Sequence, residues 1–301
     1  MTAIKRDFER WNPREESSWV FQVFKQYSNE LEKNWWTFIS SSKYVYKKLG
    51  ESGAKWGDEV KTQFEFEFKR DELYEDLRDW SNNYNQFDNW VNLNCIMSMS
   101  SNFETYLASI ISLALTSDPG LIFGAPKIID GIRIIKLHSP TEFDLDPYIN
   151  SCTKGDWSSR ASAFKKIFGM LPEVINRNIN HLDDIRNLRN KVGHAFGRDI
   201  EQAREHLVKK ILPIETISRE RTLRYQRLLW GIAKNIDVLL LHNHIGEFQA
   251  LNFYHSLYPG LRKDLHPSER AIILKKRIGS LGMSSAGKEF CKGLVAYYEG
   301  I

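Results

Sequence analysis

The sequence predicts an all-α protein: a helical bundle with a small β-hairpin insertion and helical N- and C-terminal extensions. Apolar residues recur at three- and four-residue intervals over most of the 301 residues, which is the periodicity of amphipathic helices. The composition, with 42% hydrophobic and 27% charged residues, is that of a globular protein. The chain contains no linker rich in Gly, Pro or Ser and no internal repeat, so we expect packed helices throughout.

The periodicity locates each element in order. Helices are predicted over 14–49, 69–88, 91–117, 157–169, 172–193, 199–212, 216–245, 267–279 and 285–298. The apolar stripe of the helix over 91–117 consists of Phe103, Leu107, Ile110, Ile111 and Ala114, and Asp118-Pro119-Gly120 ends that helix. The alternating FEFEF (64–68) is compatible with a short strand. KIIDGIRIIKL (127–137) has two β-branched runs around Asp-Gly and predicts the hairpin, followed by a loop to about 156.

These elements fall into three regions. We assign 1–90 to a helical, aromatic-rich N-terminal region, 91–212 to a core with an insertion near 120–156, and 213–301 to a helical C-terminal region. The longest apolar run, around 106–115, is too short to span a bilayer, and no signal-peptide pattern is present. The three widely spaced cysteines, Cys95, Cys152 and Cys291, suggest neither a disulfide framework nor a zinc site. We therefore expect a cytoplasmic protein that does not contact membranes.

Charge is distributed unevenly along the chain. The net charge is +4, but residues 51–90 hold eleven acidic and five basic residues, whereas residues 185–234 hold twelve basic and five acidic residues. Such asymmetry is typical of a protein with one polyanion-binding surface. A solvated basic face is the alternative interpretation. The tryptophan-rich, acidic N-terminal region fits recognition of a regulatory protein better than contact with nucleic acid.

The stretch RNLRNKVGHAFGR (186–198) concentrates polar chemistry on a predicted helix. Leu182, Ile185, Leu188 and Val192 share one stripe, so Arg189 lies at the margin of the apolar face and Asn190 on the polar face. His194 follows Arg189 by five residues, which would hold their side chains about 140° apart on an unbroken helix. Either the helix ends near Gly193, or a second copy completes the site. Asn190, at i−4 from His194, could orient the imidazole.

A titratable ring, a fixed cation and an amide are the groups needed for cleavage of RNA by its own 2′-hydroxyl. His194 would act as acid or base, Arg189 would stabilise the charge that develops on the phosphate, and neither a metal nor a cofactor is required. DNA lacks the hydroxyl and would not be cut by this route. The spacing alone is weak evidence, because Arg133 and His138 reproduce it in the predicted hairpin.

The context of the motif resembles the signature of the HEPN superfamily, in which an arginine, usually followed by Asn, Asp or His, precedes a histidine with four to six residues between them. Arg189-Asn190 and His194 in IRNLRNKVGH (185–194) match this pattern. SNFETYLASIISLAL (101–115) and WSSRASAFKKIFGMLP (157–172) also resemble segments of the larger HEPN proteins of bacterial defence and toxin systems. The resemblance covers roughly 91–212.

This resemblance implies a HEPN-type bundle, a homodimer whose motifs meet across the two-fold axis, and a metal-independent endoribonuclease that acts as a toxin or anti-phage effector. Some members use an acidic residue on the first core helix. Glu104 lies at the matching position, although a surface glutamate is an equal alternative. An antitoxin or regulatory protein is a further expected partner.

Five basic residues are candidates for RNA binding: Arg186, Lys191, Arg198, Arg221 and Arg224. A solvated helix face is the alternative for the two arginines beyond residue 213. The tripeptide His242-Asn243-His244 is an unconvincing metal site, because a helix would point its two histidines about 160° apart. The rivals to the enzyme are a non-catalytic HEPN-like dimerisation or RNA-binding module of a larger complex, and an unrelated helical interaction protein.

Overall fold

The computed structural model describes residues 8–137, 143–195, 213–262, 264–282 and 284–301, and within these ranges it contains eleven α-helices and no strand. The helices are α1 (Trp19–Glu51), α2 (Leu77–Ser117), α3 (Gly131–Lys136), α4 (Asp146–Thr153), α5 (Trp157–Phe168), α6 (Glu173–Asn176), α7 (Ile179–Ala195), α8 (Arg219–Leu240), α9 (Phe248–Leu257), α10 (Pro267–Ser280) and α11 (Lys288–Gly300). The all-α prediction is confirmed. None of these helices combines the length and apolarity that a membrane crossing requires.

The predicted helices over 69–88 and 91–117 are joined in one helix, α2, which begins at Leu77 and not at residue 69. Helix α2 has 41 residues and contains neither Gly nor Pro, so nothing in its sequence interrupts the backbone hydrogen bonds near residue 90. The predicted apolar stripe on α2 is confirmed: Phe103, Leu107, Ile110, Ile111 and Ala114 are all buried. Asp118 follows the helix, and Pro119 then begins a short 3₁₀ turn (Pro119–Phe123).

The predicted β-hairpin at 127–137 is wrong, because Gly131–Lys136 forms helix α3. The Asp130 side chain accepts a hydrogen bond from the Ile132 amide at 3.3 Å, so the Asp-Gly pair starts a helix instead of making a hairpin turn. Gly131 is required there: a Cβ would lie 1.8 Å from the Thr116 carbonyl oxygen. The predicted loop that follows contains helix α4.

The short strand with which FEFEF (64–68) is compatible does not form, and its aromatic rings have different environments. Phe64 stacks on Trp80, with 4.4 Å between ring centroids, and Phe66 packs near Tyr74, with 5.9 Å between ring centroids. Phe68 has a positive φ of 54°, is 87% exposed, and lies within a 3₁₀ segment (Glu67–Leu73). Phe64 and Phe66 therefore pack against the buried cluster of Leu49, Val60 and Leu77.

The described residues form two compact units that are discontinuous in sequence. The first takes its residues from Met1–Lys25, Phe103–Leu182 and Trp230–Ile301, and the second from Gln26–Asn102 and Asp183–Leu229. The division of the chain at 90/91 and 212/213 remains a prediction. The predicted helix over 199–212 lies outside the described residues.

In the first unit, the N-terminal segment is anchored by a buried arginine. The Arg10 guanidinium donates to Asp130 Oδ1 (3.0 Å), to the Ile245 carbonyl (2.7 Å) and to Ser117 Oγ (2.8 Å). Arg10 is only 5% exposed, so these bonds satisfy a charge that burial would otherwise make costly. Ile245 ends a π-helical turn (Leu241–Ile245) that continues α8.

Candidate functional site

Helix α7 carries the motif and runs unbroken through His194 to Ala195. Leu182 and Ile185 are buried as their spacing predicts, whereas Leu188 and Val192 are half-buried. The helix is therefore anchored by its first half and is more exposed in its last turns. Because α7 does not end at Gly193, Arg189 and His194 lie about 140° apart around the helix axis of one chain.

The arginine and the amide of the motif contact each other. Arg189 Nη1 donates to Asn190 Oδ1 at 3.1 Å, and both residues are half-buried. His194 lies in the last turn of α7 and is exposed. The structure thus places a guanidinium with a bonded amide one turn before an accessible imidazole. Orientation of the ring by Asn190 remains a prediction.

The predicted RNA-binding residues Arg186, Lys191 and Arg221 each face a carboxylate. Arg186 Nε donates to Asp183 at 3.2 Å, and Lys191 forms an ion pair with Glu215. Arg221 lies 3.6 Å from Asp184 Oδ2, and its Nε donates to the Tyr225 hydroxyl at 2.8 Å.

Arg224 is exposed on α8, whereas Arg198 lies outside the described residues. Over the described residues 183–195 and 213–229, seven basic side chains stand against four acidic ones. These residues therefore keep a net positive charge after each acidic side chain is matched with a basic one.

Glu104 belongs to the first unit, whereas the motif belongs to the second. Its carboxylate lies 3.7 Å from Arg160 Nη1, and Arg160 is 5% exposed. Arg160 Nε also donates to the Gly155 carbonyl at 3.0 Å, and its guanidinium lies 5.0 Å from the Trp157 ring centroid. Glu104 thus balances a buried cation of α5, a structural role that the sequence did not indicate.

The structure gives no support to metal chemistry at the His242-Asn243-His244 tripeptide. His244 is buried, and its Nδ1 lies 3.0 Å from Asp118 Oδ2, whereas His242 is exposed. Among the described residues, no three His, Cys, Asp or Glu side chains are grouped so as to hold a metal ion. The three cysteines are buried and free, and burial raises the pKa of each thiol to about 11.

Two residues near the motif were not predicted from the sequence: Glu215, which pairs with Lys191 of α7, and Asn89, which holds the backbone of residues 215–217. Asn89 Nδ2 donates to the Glu215 carbonyl at 2.8 Å, and Asn89 Oδ1 accepts from the Ile217 amide at 2.9 Å. These residues are separated by more than a hundred positions in the sequence, so no local pattern could have revealed them.

The chain was also compared with known proteins. No family model, no curated protein and no solved structure matches it.

Proposed function

We propose that the protein is a metal-independent endoribonuclease of HEPN type that acts as an RNA-cutting toxin or anti-phage effector. One observation carries the proposal: the unbroken helix α7 presents the Arg189–Asn190 pair and, one turn later, the exposed ring of His194. The positive excess around the helix supports a polyanionic substrate.

In the proposed reaction, the RNA 2′-hydroxyl attacks the adjacent phosphorus and the bond to the 5′-oxygen of the next nucleotide breaks. His194 accepts the hydroxyl proton or donates a proton to the leaving oxygen, and Arg189 stabilises the negative charge that develops on the phosphate oxygens. Asn190 orients the Arg189 guanidinium, with which it is hydrogen-bonded, and the ring of His194. The products are a 2′,3′-cyclic phosphate and a 5′-hydroxyl. Glu104 remains a candidate auxiliary group.

The helix geometry supports a dimeric enzyme. Because Arg189 and His194 lie on different faces of α7, a single chain cannot aim both groups at one phosphate from this helix. Two copies related by a two-fold axis could place Arg189 of one beside His194 of the other. We therefore propose that the active species is a homodimer.

The test compares wild type, Arg189→Ala and His194→Ala on single-stranded RNA and on matched DNA in excess EDTA. Two control variants remove the same residue types away from the motif: Arg133→Ala and His242→Ala, both exposed. We expect wild type and controls to cut RNA but not DNA and to leave cyclic-phosphate ends. Each motif variant should lose about 100-fold or more in rate with an unchanged circular dichroism spectrum. If both motif variants cut like wild type, the proposed site is wrong.

A second candidate is a non-catalytic RNA-binding or dimerisation module of a larger complex. The seven basic side chains around α7 and α8 favour it, because they would bind RNA without any acid or base. Under this alternative, RNA stays intact while binding is tight and weakens with salt, and His194→Ala binds like wild type. A partner protein that blocks RNA binding would identify the expected antitoxin or regulator.

A further inference from the structure

The ion pair between Lys191 and Glu215 joins the motif helix to the segment that precedes α8. Both side chains are partly exposed, at 37% and 41%, so the pair is accessible to solvent and to a ligand. The backbone that carries Glu215 is held in place, because Asn89 forms hydrogen bonds with the Glu215 carbonyl and with the Ile217 amide. Glu215 is therefore presented to Lys191 by a fixed backbone.

Lys191 lies three residues before His194 on α7, so the two side chains are neighbours on one face of the helix. A phosphodiester positioned at His194 would lie within reach of the Lys191 ammonium group. In the structure the Glu215 carboxylate already forms an ion pair with that ammonium group. Carboxylate and phosphate oxygens are both anionic acceptors for a lysine, so the two anions compete for one position.

We propose that Lys191 forms a phosphate subsite for RNA and that Glu215 is its built-in competitor, which an RNA phosphate displaces. This inference rests on the proposed function, since it takes RNA as the ligand. A partly exposed ion pair is weak, so a phosphate held by several further contacts can displace the carboxylate. Without RNA, Glu215 keeps the subsite filled and weakens the attraction of stray anions.

The size of the effect follows from the strength of the pair. Removing the competing carboxylate should tighten RNA binding about two- to five-fold, the range that corresponds to an exposed ion pair. It should also steepen the salt dependence. When phosphate displaces Glu215, the freed carboxylate remains charged and the net release of counterions is smaller. Without that carboxylate, the logarithmic slope for single strands should increase by about 0.7.

The experiment measures fluorescence anisotropy of a labelled, single-stranded 2′-O-methyl RNA, which binds but cannot be cleaved through its 2′-oxygen. The variants are Glu215→Gln, Lys191→Ala, and the double variant, with Glu220→Gln as a control. Glu220 is an exposed carboxylate at the start of α8, so its removal changes the net charge by the same amount. Glu215→Gln should not unfold the protein, because Asn89 bonds to the backbone of residues 215 and 217.

We expect Glu215→Gln to tighten binding two- to five-fold, Lys191→Ala to weaken it, and Glu215→Gln to have no effect when Lys191 is absent. Three results would overturn the inference: no change in Glu215→Gln, an equal change in Glu220→Gln, or tightening that persists in the double variant. The last two would mean that only general electrostatics is involved. Wild-type protein that does not bind the oligonucleotide at all would also overturn it.

The outcome is separable from that of the proposed function. If RNA is not cut but the binding pattern holds, the phosphate subsite stands and the enzyme proposal falls. If RNA is cut in an Arg189- and His194-dependent manner but the binding pattern fails, only the role of Glu215 falls.

Discussion

Replacing Glu247 by glutamine should remove most of the dependence of stability on pH between pH 6 and pH 8.5. Glu247 is only 5% exposed and accepts a hydrogen bond from the Arg14 amide. Burial raises the pKa of its carboxyl group from 4.5 to about 7, although the hydrogen bond from Arg14 and the charges of Arg14 and Arg10 oppose the increase. Burial likewise raises the pKa of Asp237 from 3.8 to about 6, against hydrogen bonds from Ser18.

Because both pKa values are raised in the folded state, the folded protein binds more protons than the unfolded chain in this interval. The free energy of unfolding must therefore fall as pH rises. For a carboxyl with a folded pKa of about 7, lowering the pH from 8.5 to 6 increases the free energy of unfolding by about 1.4 kcal/mol. Asp237 adds about 0.4 kcal/mol, and the three buried thiols, whose pKa values rise from 9.0 to about 11, add about 0.5 kcal/mol together, which gives a total of about 2 kcal/mol. Ordinary carboxylates stay ionised in both states over this range and contribute nothing.

The assay is urea unfolding followed by circular dichroism at both pH values. Wild type should be more stable at pH 6 by about 2 kcal/mol, and Glu247→Gln by only about 1 kcal/mol. The exposed Glu30→Gln is the matched control and should behave like wild type. The reasoning is refuted if wild type is more stable at pH 8.5 than at pH 6. It is also refuted if Glu247→Gln keeps the full difference.

Two further predictions concern the packing of the helices. In thermal melts, Gly131→Ala should destabilise the protein by several kcal/mol or prevent folding, since its Cβ would overlap the Thr116 carbonyl oxygen. Gly231→Ala lies in helix α8 with open space around it, and it should instead stabilise the protein by about 0.5–1 kcal/mol. Trp35→Phe should cost about 1–3 kcal/mol in urea unfolding, because the indole donates to Asn92 Oδ1 at 2.9 Å within the interior. Equal stability of the two glycine variants, or a Trp35→Phe protein as stable as wild type, would contradict these contacts.

Local spacing was sufficient to predict the helices whose apolar residues face a core. The stripe on α2 and the start of the motif helix are buried as expected, because a period of 3.6 residues fixes which side chains share a face. The tail helices α10 and α11 begin and end within three residues of their predicted limits for the same reason. Helix α9 was not predicted, although its buried Phe248, Leu251 and Tyr254 recur every three residues, because ten residues are too few to establish a helical period.

The Asp130-Gly131 dipeptide shows where local patterns fail. Asp-Gly between β-branched runs is a strong signal for a hairpin turn, but the same residues also suit the start of a helix, with Asp as the cap. The choice is made by tertiary contacts: Arg10 and Tyr297 bind the Asp130 carboxylate, and Gly131 fits against the end of α2. Arg10 lies 120 positions away in the sequence, so its contribution cannot be read from the dipeptide.

The sequence by itself determined the helical class, the apolar stripe of α2 and the presence of Arg189, Asn190 and His194 on one helix, because all of these depend on spacing along the chain. Tertiary structure decided which charges meet. It placed Glu215 at Lys191 and Arg160 at Glu104. Ion pairs of this kind join residues that are 24 and 56 positions apart, and no periodicity links them. Their partners are set by how the helices pack, and that packing depends on the burial of the whole apolar surface rather than on any one segment.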